Sequence, residues 1–224
     1  MAADEVLLEH VLVTGRPALR FYTWDPPTLS LGYFQPYAGR LPGLPVVRRM
    51  TGGGAIVHHH ELTYAVGLPS GAAPTALARH GNPFVCVMHD GIRAALGSLG
   101  VTAAGCGREQ GRGAFLCFEH QTPGDLLLGG RKIGGSAQRR RRGAILQHGS
   151  ILLAASPHAP HLKGIQEMTG VVIGPERLAD ALAPTVSRMT GWTMAPKDWS
   201  AELIARRKQL AAEHYRQTAW TQRR

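Results

Sequence analysis

The residue types best suited to covalent chemistry are a cysteine and a lysine near the middle of the chain. Cys117 lies between two phenylalanines in 115-FLCFEHQ-121, and Lys132 lies in 129-GGRKIGGSAQ-138. The thiolate is the nucleophilic form of cysteine, and a nearby lysine ammonium would hold it in that charged form. The alternatives are a small buried residue at Cys117 and an exposed hairpin lysine at Lys132.

A run of three glycines is the second candidate, within 48-RRMTGGGAIVH-58. Glycine allows positive φ and close approach of the backbone to a ligand, and the two arginines before the run could bind a phosphate or a carboxylate. No Gly-Lys-Ser/Thr follows and no helix is predicted after the glycines, so the segment is not a nucleotide-binding fingerprint. A tight hairpin turn is the alternative.

Histidines accompany these segments. The cluster 58-HHHE-61 does not complete the zinc-protease pattern H-E-x-x-H. In a strand only His58 and His60 would point to the same side, so we expect no metal site. In 147-QHGS-150 a His-Gly pair interrupts an apolar strand, where glycine often marks the close approach of a ligand or of another backbone.

Hydrophobic periodicity predicts the elements that must position these residues. Apolar residues at helical spacing predict helices over 4–15, 84–100, 157–170, 176–191 and 198–220. Extended runs predict strands over 19–24, 29–34 and 45–50, two strands or a hairpin over 55–68, and an antiparallel meander over 125–130, 131–138 and 144–153. Because strands precede helices rather than alternating with them, the sequence predicts an α+β fold. We expect one domain over residues 1–224, with 157–224 mainly helical.

The composition is that of a globular protein. A chain of 224 residues with 44% hydrophobic content can bury a sizeable core. No apolar run approaches the roughly 20 residues that span a bilayer, and the first residues lack the basic start of a secretory signal. Three cysteines without regular spacing argue against a disulfide framework and favour a reducing cytoplasm.

The net charge of +10 and the pI of about 10.3 indicate acidic partners. Nucleic acid is one candidate because clustered Lys and Arg follow phosphates, and acidic proteins are the other. The densest run is 139-RRRR-142, which a solvated basic face would also explain. No aromatic residue interleaves with this run, which disfavours binding to single-stranded nucleic acid.

Taken together, three motifs resemble the catalytic family of biotin and lipoate protein ligases. The family patterns Arg-Arg-x-Ser/Thr-Gly-Gly-Gly-Ala-Val-x-His, Gly-Arg-Lys-Ile-x-Gly-Ser-Ala-Gln and His-Gly-Ser/Thr stand here as 48-RRMTGGGAIVH-58, 130-GRKIGGSAQ-138 and 148-HGS-150. The segment 2-AADEVLL-8 resembles the family's early helix, and residues 215–220 resemble its last one. The resemblance implies mixed β-sheets flanked by helices. It also implies a strand before the early helix, and this sequence begins within the helix motif.

The resemblance implies one of two chemistries. ATP-dependent ligases usually carry an Asn-Asp pair before the lysine strand, whereas cysteine-dependent octanoyltransferases carry Cys-Phe. Here 117-CF-118 precedes the lysine strand and no Asn-Asp pair stands at the ligase position. The chain thus resembles the transferases, which take an octanoyl group from acyl carrier protein and pass it to a lysine of a lipoyl domain or of glycine-cleavage H protein. No cofactor is implied, and ATP with magnesium enters only under the ligase alternative.

A carrier-binding or nucleic-acid-binding protein without catalysis is the remaining alternative, and we expect a monomer. The resemblance implies Cys117 as the nucleophile and Lys132 as its catalytic partner, with Glu119 and His120 as loop residues. It implies substrate-binding roles for Arg49, Gly52, Gly53, Gly54, Ala55, His58, Gly135, Ser136, Ala137, Gln138, His148 and Gly149. Cys86 is expected to pack within its helix and Cys106 to be an exposed thiol, and Arg139 to Arg142 are expected to steer acidic partners toward the site.

Overall fold

The computed structural model describes residues 1–39, 41–72, 83–111, 113–141 and 143–224. Its strands are β1 (Ala18–Tyr22), β2 (Thr28–Leu31), β3 (Val46–Arg48), β4 (Ile56–His58), β5 (Glu61–Pro69), β6 (Ala104–Gly105), β7 (Leu126–Leu128), β8 (Arg131–Arg141) and β9 (Ala144–Leu152). Its helices are α1 (Ala2–Thr14), α2 (Pro83–Ser98), α3 (Ile165–Thr169), α4 (Pro175–Thr190), α5 (Ala201–Leu210) and α6 (Thr218–Thr221). A π-helical turn, Ala211–Tyr215, continues α5.

The strands form two sheets. The larger one has the order β1-β5-β9-β8-β7-β6 and is antiparallel, so the predicted meander is present as β7, β8 and β9. The smaller one has the order β3-β2-β4, with β2 and β3 parallel. The α+β prediction is confirmed. The hairpin alternative for 55–68 is wrong, because β4 pairs with β2 in the small sheet while β5 pairs with β1 and β9 in the large one.

Helices cover both faces of the large sheet. Along β5 the buried side chains alternate: Tyr64 and Val66 join the core under α2 and α4, and Ala65 joins the core under α1 and the end of α5. Helix α1 ends at Gly15, whose φ of 67° lies in the left-handed region that glycine favours at helix ends. The two cores fix β8 and β9 between them, and these strands carry two of the three motifs.

The predicted helices over 4–15, 84–100 and 176–191 are confirmed as α1, α2 and α4. Of the predicted helix over 157–170, only α3 is present. Residues 157–164 form turns instead, because the prolines there lack the amide N–H that a helix requires. Helix α5 begins after Ser200, whose hydroxyl accepts from the Leu203 amide at 3.3 Å. Within the described ranges no helix is long and apolar enough to cross a membrane.

Candidate active site

The backbone of Cys117 is fixed against the glycine motif. Cys117 begins a single 3₁₀ turn, and its N–H donates to the Ala55 carbonyl at 2.8 Å. The Ala55 N–H donates in turn to the Phe115 carbonyl at 2.9 Å. A Cβ at Gly54 would lie 2.9 Å from the Cys117 amide nitrogen, so only glycine allows the two segments to approach this closely. Gly54 and Ala55 therefore position the cysteine.

Strand β8 brings the Lys132 ammonium to the Cys117 sulfur. Nζ lies 3.5 Å from Sγ, donates to the His120 carbonyl at 2.9 Å and forms an ion pair with Asp125 Oδ2 at 2.7 Å. An ammonium has three N–H groups, and these three partners account for all of them. The Lys132 and Asp125 side chains are only 4% and 5% exposed. The two residues predicted to carry the chemistry thus lie side by side, with the lysine buried and the cysteine half-buried.

Asp125 is the residue of this site that the sequence patterns did not predict. It closes the turn 122-TPGD-125, where its Oδ2 accepts from the Thr122 amide at 2.7 Å and from the Thr122 hydroxyl at 2.9 Å. Gly135 leaves the space for the ion pair, because a Cβ there would lie 2.7 Å from Lys132 Cε and 2.9 Å from Asp125 Oδ1. Asp125 could have been predicted on physical grounds, because a buried lysine requires an acidic partner. Asp125 ends a turn a few residues before the lysine strand.

A cavity lies beside the cysteine, and four glycines and four ring-bearing side chains are among the residues that line it. It is lined by Arg49, Gly52, Gly53, His58, Cys117, Gly135, Ser136, Ala137, His148 and Gly149, together with Met1, Tyr22, Ile56, Thr63, Phe118 and Ser150. A largely apolar cavity with a few polar groups at one end is typical of a site for an aliphatic chain. Of the predicted binding residues, Gly54, Ala55 and Gln138 stand outside this lining. Gln138 instead donates to Gln147 at 2.8 Å.

The two arginines of the first motif serve the protein itself. Arg49 is buried and donates to the carbonyls of Ser30 and Gly54, each at 2.8 Å. Arg48 is also buried and donates to the carbonyls of Gly32 and Gln35 at 2.8 and 2.7 Å. Arg49 touches the cavity, yet both guanidinium groups are used to hold loop backbone rather than turned toward a phosphate or carboxylate.

His58 belongs to a buried chain of hydrogen bonds in the cavity wall. Its Nε2 lies 2.6 Å from Ser30 Oγ, its Nδ1 bonds Glu61, and the Trp24 ring stacks on it at 4.0 Å. Arg49 donates to the same serine oxygen at 2.7 Å. Since arginine can only donate, Ser30 Oγ accepts from Arg49, and the chain of hydrogen bonds runs from Arg49 through Ser30 and His58 to Glu61.

His148 holds the opposite wall through a similar chain. Its Nε2 lies 2.6 Å from Thr51 Oγ1, in the glycine motif, and its Nδ1 lies 3.1 Å from Asp4 Oδ2 in α1. Arg20 pairs with the same carboxylate at 2.6 Å. Burial lowers the pKa of His148, which favours the neutral imidazole. Among the residues that the structure describes, no group of three or more His, Cys, Asp or Glu could hold a metal ion.

The Glu119 and His120 side chains, two and three residues after Cys117, pair with other residues. Glu119 lies 2.9 Å from His161 Nε2, and His120 lies 3.1 Å from Glu109 Oε1, both in exposed pairs. The prediction of an exposed Cys106 is wrong. Its backbone pairs with the turn that carries Asp125, and this pairing buries the thiol, whose S–H donates to a carbonyl at 2.8 Å. The prediction for Cys86 falls on a side chain outside the described part of the structure.

The fold and this site belong to one class of protein. Residues 1–191 match the model of the lipoyl protein ligase A/B catalytic domain, and the chain belongs to that family. It is similar to the octanoyltransferase LipM of Kyrpidia tusciae, with 32% identity over a 258-residue alignment that covers 96% of this chain and 90% of the relative. The predicted family, and the predicted similarity to its octanoyltransferases, are confirmed.

One more relative and one solved structure are also similar to the chain. The chain is 41% identical to the octanoyltransferase LipM of Symbiobacterium thermophilum over 168 residues, which are 68% of this chain and 60% of that protein. The structure superposes on a bi-partite lipoate protein ligase of Thermoplasma acidophilum with a TM-score of 0.78, covering 99% of this chain and 89% of the other. At 19% identity, the similarity to the Thermoplasma acidophilum structure shows a shared fold and nothing more.

Proposed function

We propose that the protein moves an octanoyl group from acyl carrier protein, through a thioester on Cys117, to a lysine of a lipoyl domain or of glycine-cleavage H protein. The octanoyltransferase class follows from the family and from relatives that carry that name. The thioester route, the donor and the acceptor are the proposal. The observation that supports it most is the Lys132 ammonium 3.5 Å from the Cys117 sulfur, at the wall of a largely apolar cavity.

In the first half-reaction the Cys117 thiolate attacks the carbonyl carbon of the donor thioester. A carbon–sulfur bond forms and the carbonyl oxygen takes the negative charge. When this adduct collapses, the bond to the donor sulfur breaks and the donor leaves as a thiolate that takes up a proton. Lys132 stabilises the attacking thiolate and, with backbone N–H groups, the developing oxyanion. One thioester replaces another, so the step requires neither ATP nor magnesium.

In the second half-reaction the neutral amine of the acceptor lysine attacks the Cys117 thioester. An amide bond forms, the amine loses one proton to solvent, and the cysteine leaves as a thiolate beside the Lys132 ammonium. The octanoyl chain stays in the cavity through both steps, so its carbonyl carbon is held at the sulfur. A reduced thiol is required in each cycle, which agrees with a cytoplasmic location.

Transfer without ATP separates this function from that of a ligase. Wild-type protein is incubated with octanoyl-acyl carrier protein and a lipoyl domain in the absence of ATP, and the mass of the lipoyl domain is measured. We expect one octanoyl group to be gained with wild-type protein and none with Cys117→Ala. Cys106→Ala, which removes a buried thiol outside the site, is the matched control and should transfer normally. Transfer that requires ATP, releases pyrophosphate and survives Cys117→Ala would show a ligase instead.

A further inference from the structure

A patch of aromatic rings and arginines lies on the surface beside the cavity. This aromatic–arginine patch consists of Tyr33, Phe34, Arg139, Trp220, Arg223 and Arg224. Phe34 is 65% exposed, a large apolar surface to leave in water. The three arginines are exposed as well, and they come from strand β8 and from the residues after α6.

The arginines of the patch lie over aromatic rings. The Arg223 guanidinium lies 4.0 Å from the centroid of the Tyr33 ring and 4.9 Å from that of Trp220. Arg139 lies 5.7 Å from the Tyr33 ring, and Arg224 lies 5.3 Å from the Phe34 ring. A guanidinium stacked on a ring keeps its N–H edges available for an anion, and these edges match two oxygens of a phosphate.

Acidic side chains do not neutralise this charge. Across the described ranges, no Asp or Glu side chain forms an ion pair with Arg139, Arg223 or Arg224. By contrast Arg141, two residues along the same strand, pairs with Glu5 at 2.8 Å. The carboxyl group of Arg224 accepts from the Tyr37 amide at 2.7 Å. Three guanidinium groups outnumber this carboxyl group, so the patch is positively charged and favours the binding of an anion.

A buried arginine adds to the charge behind the patch. Burial lowers the pKa of Arg48, and the charges of Arg223 and Arg224 lower it further. Its Nη2 has no hydrogen-bond partner among the described residues. Arg48, Arg223 and Arg224 thus all contact the loop that carries Tyr33 and Phe34.

The patch adjoins the cavity that holds the nucleophile. The Tyr33 N–H donates to the Thr51 carbonyl at 2.8 Å, and a Cβ at Gly52, which lines the cavity, would lie 3.8 Å from the Phe34 ring. The Gln35 side chain donates to the Phe115 carbonyl at 3.0 Å, two residues before the cysteine. A molecule bound at the patch is therefore placed to send an extended arm to the sulfur.

We propose that the aromatic–arginine patch binds the phosphate of the phosphopantetheine arm that carries the acyl thioester, and so recognises the acyl donor rather than the acceptor. This inference rests on the proposed function. The donor's arm contains a phosphodiester anion and, next to it, an apolar segment that can pack on Phe34. The acceptor presents a lysine and no phosphate, so charge complementarity favours the donor.

Two small donors that differ by one phosphate test the proposal. Acylation of Cys117 is followed by intact-protein mass with octanoyl-4′-phosphopantetheine and with octanoyl-pantetheine. For Arg139→Gln/Arg223→Gln we expect the acylation rate with the phosphorylated donor to fall roughly tenfold or more, and the rate with the other to stay unchanged. Arg177→Gln is the matched control, since Arg177 is an exposed arginine of α4 and is not part of the patch. Equal losses with both donors, no loss with either, or a loss only in transfer to a lipoyl domain would overturn the proposal.

Binding measured without acyl transfer separates this proposal from the function on which it rests. Calorimetry with 4′-phosphopantetheine alone should show binding to wild-type protein and to Arg177→Gln, and at least tenfold weaker binding to the double variant. Absence of binding to wild-type protein would overturn the phosphate site. Binding that is lost in the double variant, together with no acylation of Cys117 by any donor, would retain the site and refute the proposed function.

Discussion

The ion pair between Lys132 and Asp125 has separable effects on stability and on chemistry. Both side chains are at most 5% exposed, with 2.7 Å between nitrogen and oxygen. Removing one member of a buried pair leaves the other charge uncompensated, which costs about 3–5 kcal/mol. We therefore expect Asp125→Asn and Lys132→Met each to lower the free energy of unfolding by about that amount.

The double variant Asp125→Asn/Lys132→Met separates the two effects. It has no uncompensated charge, and neutral groups of similar volume replace buried ion pairs with little loss, so most of the stability should return. Its activity should not return, because no ammonium remains beside the Cys117 sulfur. Loss of a positioned electrostatic group reduces rates on the order of 100-fold or more, and we expect the acylation of Cys117 to slow by that factor in both variants that lack Lys132.

Denaturant unfolding of the three variants, run beside single-turnover acylation followed by mass, measures both effects. Two results would refute the reasoning. A double variant as unstable as the single variants would show that the ion pair is not the source of the loss. A Lys132→Met protein acylated at the wild-type rate would show that the ammonium has no role in forming the thioester.

Two further predictions concern the space around the ion pair and the buried histidines. Because a Cβ at Gly135 would lie 2.7 Å from Lys132 Cε, Gly135→Ala should slow acylation of Cys117 roughly tenfold or more. Gly97→Ala, where a Cβ meets open space, is the control. Equal acylation rates for the two variants would show that Lys132 can shift without affecting the reaction. Burial lowers the pKa of His148 and of His89 below the ordinary histidine value of about 6.5. At a pH between the lowered pKa values and about 6.5, the unfolded chain therefore binds more protons than the folded one. The free energy of unfolding consequently falls as the pH falls from about 7 through this range. Unfolding measured at neutral and mildly acidic pH should show this loss, His148→Gln should reduce it, and a protein that gains stability on acidification would contradict the prediction.

The helices and the antiparallel meander could be predicted because each depends on a local pattern, and the motifs around Cys117 and Lys132 drew attention to these two residues. Helical spacing in α1, α2 and α4 and the meander of β7 to β9 are properties of short segments. Periodicity does not specify which sheet a strand joins, so the separation of β4 from β5 could not be predicted. That choice depends on long-range pairing between β2 and β4.

The partners within the site could not be predicted for a related reason. Asp125 reaches Lys132 through the pairing of β7 with β8, which contains a register shift between Leu126 and Leu127. Residue type also misled where burial decides the role. Arginine is suited to binding phosphate, but Arg49 is buried and donates to loop carbonyls. The polar, glycine-rich segment around Cys106 predicts an exposed thiol, but pairing of this segment with the turn that carries Asp125 buries it.

The central claim is that Cys117 carries the acyl group, and the acylated protein tests it most directly. Wild-type protein is incubated with octanoyl-acyl carrier protein alone, and its intact mass and peptide masses are determined. We predict a gain of one octanoyl group, located on the peptide that contains Cys117, released by hydroxylamine as a thioester should be, absent from Cys117→Ala and discharged when a lipoyl domain is added. An octanoyl group on another residue, or transfer to the lipoyl domain by Cys117→Ala at the wild-type rate, would contradict the claim.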